Sequence, residues 1–149
     1  KEGRVVIQTN APGHRAIRLC TKHDYKTFYN LEIGDRLRTL FPPFAVFVRA
    51  QFACADENAA ADAAERFANG VTKTILTALK PANAENELVF ALAGAAPIRR
   101  REGLFRYAVI IKLVRTANTA AAINAIYAFS DGCADECYRG IEVNPQDML

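Results

Sequence analysis

The Phe41-Pro42-Pro43-Phe44 joint constrains this chain most, because the character of the sequence changes there. Before it, apolar residues recur at helical spacing: Tyr25, Phe28, Tyr29, Leu31, Ile33, Leu37 and Leu40. The two prolines stop a helix, since each lacks an N–H and Pro43 pushes Pro42 into an extended conformation. After them, Ala45 to Ala53 alternates, with Val46, Val48, Ala50 and Phe52 on one face and Phe47, Arg49 and Gln51 on the other. The joint therefore separates a helical arm from a second folding unit.

Ahead of the joint, Arg4-Val5-Val6-Ile7-Gln8-Thr9 reads as strand-like but too short to stand alone, and Asn10-Ala11-Pro12-Gly13 as a turn. A short helix is expected from His14 to Cys20, and a second through about Leu40. Gly34 weakens that helix by roughly 1 kcal/mol relative to Ala, and a kink is expected there. The chain begins at Lys1 within the strand-like run, as a piece of something longer would.

Past Ala53, Asp56 supplies an N-cap and Glu57 an acidic first turn for a helix to about Lys80. Its stripe is Ala60, Ala64, Phe67, Val71, Ile75, Ala78 and Leu79. A polar turn from Pro81 to Glu87 leads to a strand over Leu88 to Ala93, ended by Gly94-Ala95-Ala96-Pro97. A loop with Arg99-Arg100-Arg101 precedes the strongest strand, Leu104 to Leu113. Phe105, Tyr107, Val109, Ile111 and Leu113 share one face, and Leu104, Arg106, Ala108, Ile110 and Lys112 the other. A helix from about Ala117 to Phe129 presents Ala122, Ile123, Ile126 and Tyr127, and a last strand runs from Tyr138 to Val143.

Strand, helix, strand, strand, helix, strand is the order of an α+β, ferredoxin-like domain: a four-stranded antiparallel sheet with two helices on one face. The first and third strands should be central neighbours. Their second faces would then place Phe47, Arg49 and Gln51 beside Arg106, Ala108 and Lys112, on a side that no helix covers.

The 149 residues suffice for a real core, and the net charge of +3 is too small to imply nucleic acid by itself. Its distribution says more: residues 1–40 carry eight Lys/Arg against four Asp/Glu, and residues 41–149 eleven against twelve. No apolar run suits a membrane span and no signal peptide opens the chain, so a cytoplasmic location is expected. Of four cysteines only Cys133 and Cys137 are close in sequence, with no second pair, so the expectation is free thiols and no metal.

No phosphate-cradling glycine loop and no nucleophile motif is present, so no catalytic residue and no enzyme activity are expected of this chain alone. The remaining candidates form an anion-binding patch for phosphates or carboxylates: Arg99, Arg100, Arg101, Arg106, Lys112 and Arg115, with Arg49 nearby. Phe47 on the same face could stack on a base or hold an aromatic side chain of a peptide.

Four pieces in order resemble the C-terminal portion of the primosomal protein N′ family, the bacterial replication-restart helicases. They are Gly3-Arg4-Val5-Val6-Ile7-Gln8-Thr9; Asp24-Tyr25 with Phe28-Tyr29, Glu32, Arg36 and Pro42-Pro43-Phe44; Ala96-Pro97-Ile98 with Arg100, Gly103, Phe105-Arg106 and Lys112; and Ile141-Glu142-Val143-Asn144-Pro145-Gln146-Asp147-Met148-Leu149. The resemblance implies that residues 1–9 are the last strand of the second helicase lobe, 10–43 a helical connector, and 44–149 a terminal domain similar in fold to a small ribosomal-subunit protein. It further implies binding of fork or single-stranded DNA, the acidic tail of single-stranded-DNA-binding protein and other primosome proteins, beside a helicase core.

The ATP, magnesium and zinc sites of such a 3′–5′ helicase would lie upstream, leaving this piece without a cofactor. Arg100, Arg106 and Lys112 match the family pattern. Leu104 and Ala108 stand where basic and amide-bearing residues are common, and Glu142 and Asn144 replace paired aspartates. The alternative is a ligand-sensing or scaffolding ferredoxin-like domain.

Overall fold

The computed structural model describes residues 3–79 and 87–146, and the chain divides into two compact units between Thr39 and Leu40. Most of the turn expected from Pro81 to Glu87, the expected helix end at Lys80 and the residues Asp147-Met148-Leu149 lie outside the described residues.

The first unit holds α1 (Arg15–Cys20) and α2 (Tyr25–Thr39). Each starts on a side-chain cap, which satisfies a donor left free at a helix N-terminus. His14 Nδ1 accepts from the Ala16 N–H at 3.3 Å, and Asp24 Oδ1 from the Thr27 N–H at 3.1 Å. Helix α2 runs through Gly34 without a break, so the kink expected there is absent. It ends at Thr39, ahead of the prolines, and Leu40 turns left-handed with φ +51. Residues 4–9 form no strand: Val5 and Val6 are exposed, and a β-branched run without a neighbouring ladder has nothing to bond.

The second unit is a four-stranded antiparallel sheet in the order β2-β3-β1-β4, built from β1 (Ala45–Cys54), β2 (Leu88–Arg101), β3 (Leu104–Val114) and β4 (Tyr138–Val143). With α3 (Glu57–Ala78) and α4 (Thr119–Asp131) the element order is β-α-β-β-α-β, and β1 and β3 lie at the centre as expected. Among the described residues, no helix is long and apolar enough to cross a membrane.

The alternating strands bury one set of side chains. Val46, Val48, Ala50 and Phe52 from β1 meet Val109, Ile111 and Leu113 from β3, beneath Ala60, Ala64, Phe67, Val71 and Ile75 of α3 and Ala122 and Ile126 of α4. Phe67 is the hub, with its ring edge-on to Phe52 at 5.4 Å and to Phe129 at 5.1 Å, and stacked on Tyr138 at 5.7 Å. Gly70 lets α3 and α4 approach at that point, since a Cβ there would run into the Phe129 ring. Leu79 joins the core, whereas Ala78 and Tyr127, both expected on apolar stripes, are exposed.

Strand β2 departs most from expectation. It passes through Gly94 and Pro97 and ends only at Arg101, so the three arginines belong to a strand end and not to a loop. An edge strand tolerates proline because its outward N–H groups have no ladder to complete. The pairing with β3 shifts register between Ala95 and Arg100, and Pro97 lies within that interval. The turn is Glu102-Gly103, with φ +54 and +82, the two positive angles that a tight two-residue hairpin of type I′ requires.

Candidate anion-binding site

The helices cover one side of the sheet, and cross-strand register sets what the other side presents. Phe47 stands opposite Lys112, Arg49 opposite Ile110, Gln51 opposite Ala108 and Ala53 opposite Arg106. Strand β4 sets Glu142 beside Arg49 and Gly140 beside Gln51. The face expected from alternation is therefore assembled, but its two ends differ in chemistry.

At one end, the side chains close over themselves. Lys112 and Phe47 are each only 8% exposed. The Lys112 ammonium lies 5.1 Å from the Phe41 ring centroid, 5.4 Å from that of Phe47 and 5.8 Å from that of Phe90. Three aromatic faces thus stabilise the cation by their quadrupoles. Asn144 extends the β1–β4 ladder here, its N–H donating to Phe47 O at 2.7 Å and its Oδ1 accepting from Phe47 N–H at 3.2 Å. Phe47 offers no open ring for stacking, and Lys112 is directed into the aromatic cluster.

At the other end is a recess of about 110 Å³ lined by Arg49, Gln51, Ala53, Ala96, Pro97, Arg106, Ala108 and Arg139, with Phe52 and Tyr107 beneath. Arg49 is held by Glu142, Nη2 to Oε2 2.8 Å, with its side chain 13% exposed. Arg139 was not a candidate from the sequence. It sits where the register of β4 slips against Gln51 and Phe52, and that irregularity turns it onto this face. Its Nη1 donates to the carbonyls of Glu136 at 2.6 Å and Tyr138 at 3.0 Å, and its Nη2 to that of Ala53 at 2.6 Å. Arg106 carries no ion pair with any of the described residues. No simple residue periodicity signals Arg139; only the bulge does.

The arginine triplet scatters. Arg99 Nε donates to Glu57 Oε1 at 2.6 Å, tying the end of β2 to the first turn of α3, and that hydrogen bond holds the guanidinium above its ordinary pKa. Tyr107 Oη shares the same carboxylate at 3.3 Å. Arg100 pairs with Phe105 across the hairpin, its guanidinium 5.0 Å from that ring, on the opposite side of β3 from Arg106. Arg101 meets Glu102 at 3.3 Å, and Arg115 is exposed just beyond β3. The continuous line from Arg100 through Arg106 to Lys112 is not formed; Arg49, Arg106 and Arg139 come together instead.

The cysteines pack inward. Cys137 is in the core, and Cys54 and Cys133 lie partly buried against it. Burial first, and then a hydrogen bond with Cys54, push the Cys137 thiol up to about 12, so it stays protonated at neutral pH. All four cysteines are free.

No family model matches the chain. Its sequence is similar to that of the Replication restart protein PriA of Bacillus subtilis (strain 168), 29% identical over 126 residues, which is 85% of this chain and 14% of the relative. It is also similar to the Replication restart protein PriA of Treponema pallidum (strain Nichols), 36% identical over 84 residues, 56% of this chain and 12% of that protein. The similarity falls on a region of these PriA proteins, and the chain spans only a small part of their length.

Proposed function

We propose that this chain is a DNA- and protein-binding module of a replication-restart helicase, and that the sheet face centred on Arg106 is its anion-binding surface. The observation that carries the reading is the cluster of Arg49, Arg106 and Arg139 on a side that neither α3 nor α4 covers. Similarity to PriA proteins over most of the chain supplies the setting, restart of replication. Fork or single-stranded DNA supplies phosphates, and the tail of single-stranded-DNA-binding protein supplies carboxylates; both suit guanidinium forks. Arg101 and Arg115, exposed beyond the two ends of β3, extend the reach of the field. In this reading the helicase core and its nucleotide chemistry belong to other parts of the protein, and the chain contributes binding only.

The test is titration of labelled fork DNA, single-stranded DNA and an acidic peptide at two salt concentrations. Arg106→Ala should weaken DNA binding at low salt and lower the slope of log K against log salt by about 1 for each lost phosphate contact. Unchanged affinity and slope in the variant would move the site off this face.

A further inference from the structure

The recess has a charge balance and a size that narrow its ligand further than the face as a whole does. Three arginines line it, and among the described residues the carboxylate that pairs with one of them is that of Glu142, which offsets Arg49. Arg106 and Arg139 leave a local charge of two positive units. Of the five N–H donors of Arg139, three are engaged with the carbonyls of Ala53, Glu136 and Tyr138, which holds the group in place and leaves two without an acceptor among the described residues. Arg106 has all five donors free of the described residues.

A volume of about 110 Å³ corresponds to roughly three or four waters at about 30 Å³ each. That is room enough for a phosphoryl group. The apolar parts of the wall, Ala53, Ala96, Pro97 and Ala108, are small and leave the polar atoms of the ligand to the arginines.

Resting on the DNA-binding reading above, we propose that this recess seats the terminal phosphate monoester of a DNA strand. A monoester carries about −1.5 to −2 charges at pH 7 and three unesterified oxygens, matching two uncompensated guanidinium groups. An internal phosphodiester or a single carboxylate brings one charge, and an internal phosphate must carry a sugar on each side past the rim. A chain end enters with one.

The experiment compares one single-stranded oligonucleotide in two forms, 5′-phosphorylated and 5′-hydroxyl, binding to the full chain by fluorescence anisotropy. The phosphorylated form should bind about tenfold tighter at pH 7.5, a preference comparable to the net worth of one charge-assisted hydrogen bond. The preference should shrink at pH 5.5, below the second phosphate ionisation near 6. Arg139→Gln should bring the two forms to equal affinity, with Arg139→Lys as a second variant that keeps the charge and loses the fork; urea melts establish that each is folded.

Equal, salt-dependent binding of both oligonucleotides to the unsubstituted chain overturns the terminal-phosphate seat and leaves the broader DNA reading standing. Absence of binding by either at low salt overturns both. If an acidic peptide binds with an affinity that Arg139→Gln abolishes, while the two oligonucleotides bind alike, the recess is a carboxylate seat and the proposal fails.

Discussion

The two units of this chain contain helices of similar regularity, yet they solve burial in opposite ways. In residues 3–39 neither α1 nor α2 has a single buried residue, and Tyr25, Tyr29, Leu31 and Leu37 of α2 are exposed. That unit carries a network of ion pairs instead: Asp35 bonds both Arg15 and Arg38, and Glu32 holds Arg36 at 2.8 Å. In the sheet unit, α3 buries seven residues against the strands. Exposed ion pairs contribute about 0–1 kcal/mol each, whereas burying one large aliphatic side chain contributes about 1.5–3 kcal/mol. Helical periodicity alone therefore does not make a stable unit; a surface to bury against does.

Hydrogen exchange gives the widest contrast. Amides of α2 should exchange with protection close to zero, while those of β1 and β3 should approach the global unfolding free energy, about 5–15 kcal/mol for a domain. Equal protection in the two units would break the comparison outright. Truncation comes next in size. Ile111→Ala, at a fully buried site, should cost about 2–5 kcal/mol in a urea melt, against at most about 0.5 kcal/mol for Leu37→Ala, at a residue 55% exposed.

Lys112→Met probes the closed end of the sheet face. Loss of the cation from its three rings should cost about 1–2 kcal/mol of stability, with the salt dependence of DNA binding unchanged. A flatter salt slope in that variant would return Lys112 to the binding surface.

Acid titration should show the smallest effect and again separate the units. Asp135 lies below the usual carboxylate range chiefly because Arg66 hydrogen-bonds it at 2.8 Å, and next because it accepts the Cys137 N–H. A carboxyl with a depressed folded pKa stabilises fully above its unfolded value near 4, and that contribution disappears as pH falls through the folded value. Asp135→Asn should therefore lower the stability of the sheet unit at neutral pH, with the difference from the unsubstituted chain vanishing in acid. Asp35 is also lowered, by hydrogen bonds from Arg15 and then Arg38, but Asp35→Asn should leave the unfolding of the strands unaltered at every pH. A shared acid response would join the two units into one cooperative system.

Alternation in β1 and β3 made the sheet legible, because a period of two allows only one face to enter the core. It identified Val48, Ala50, Val109 and Ile111 as buried and gave Phe47, Arg49, Arg106 and Lys112 the opposite face. The breakers misled at β2, where Gly94 and Pro97 are tolerated because the strand lies at an edge, a property of strand order and not of local sequence. The valines near the start form no ladder, as befits a strand-like run too short to stand alone and without a neighbouring strand.

From residues alone, then, come the α+β class, the element order, the central pair of strands and the basic character of one sheet face, all consequences of short-range periodicity and capping. Whether a charge on that face is available was decided only in three dimensions. Phe41 and Phe90 reach Lys112 from the joint and from the edge strand, while the irregular pairing of β4 brings Arg139 to Arg49 and Arg106. Both depend on contacts between residues distant in the chain, and periodicity within a single strand carries no information about which distant side chain will cover or join a given position.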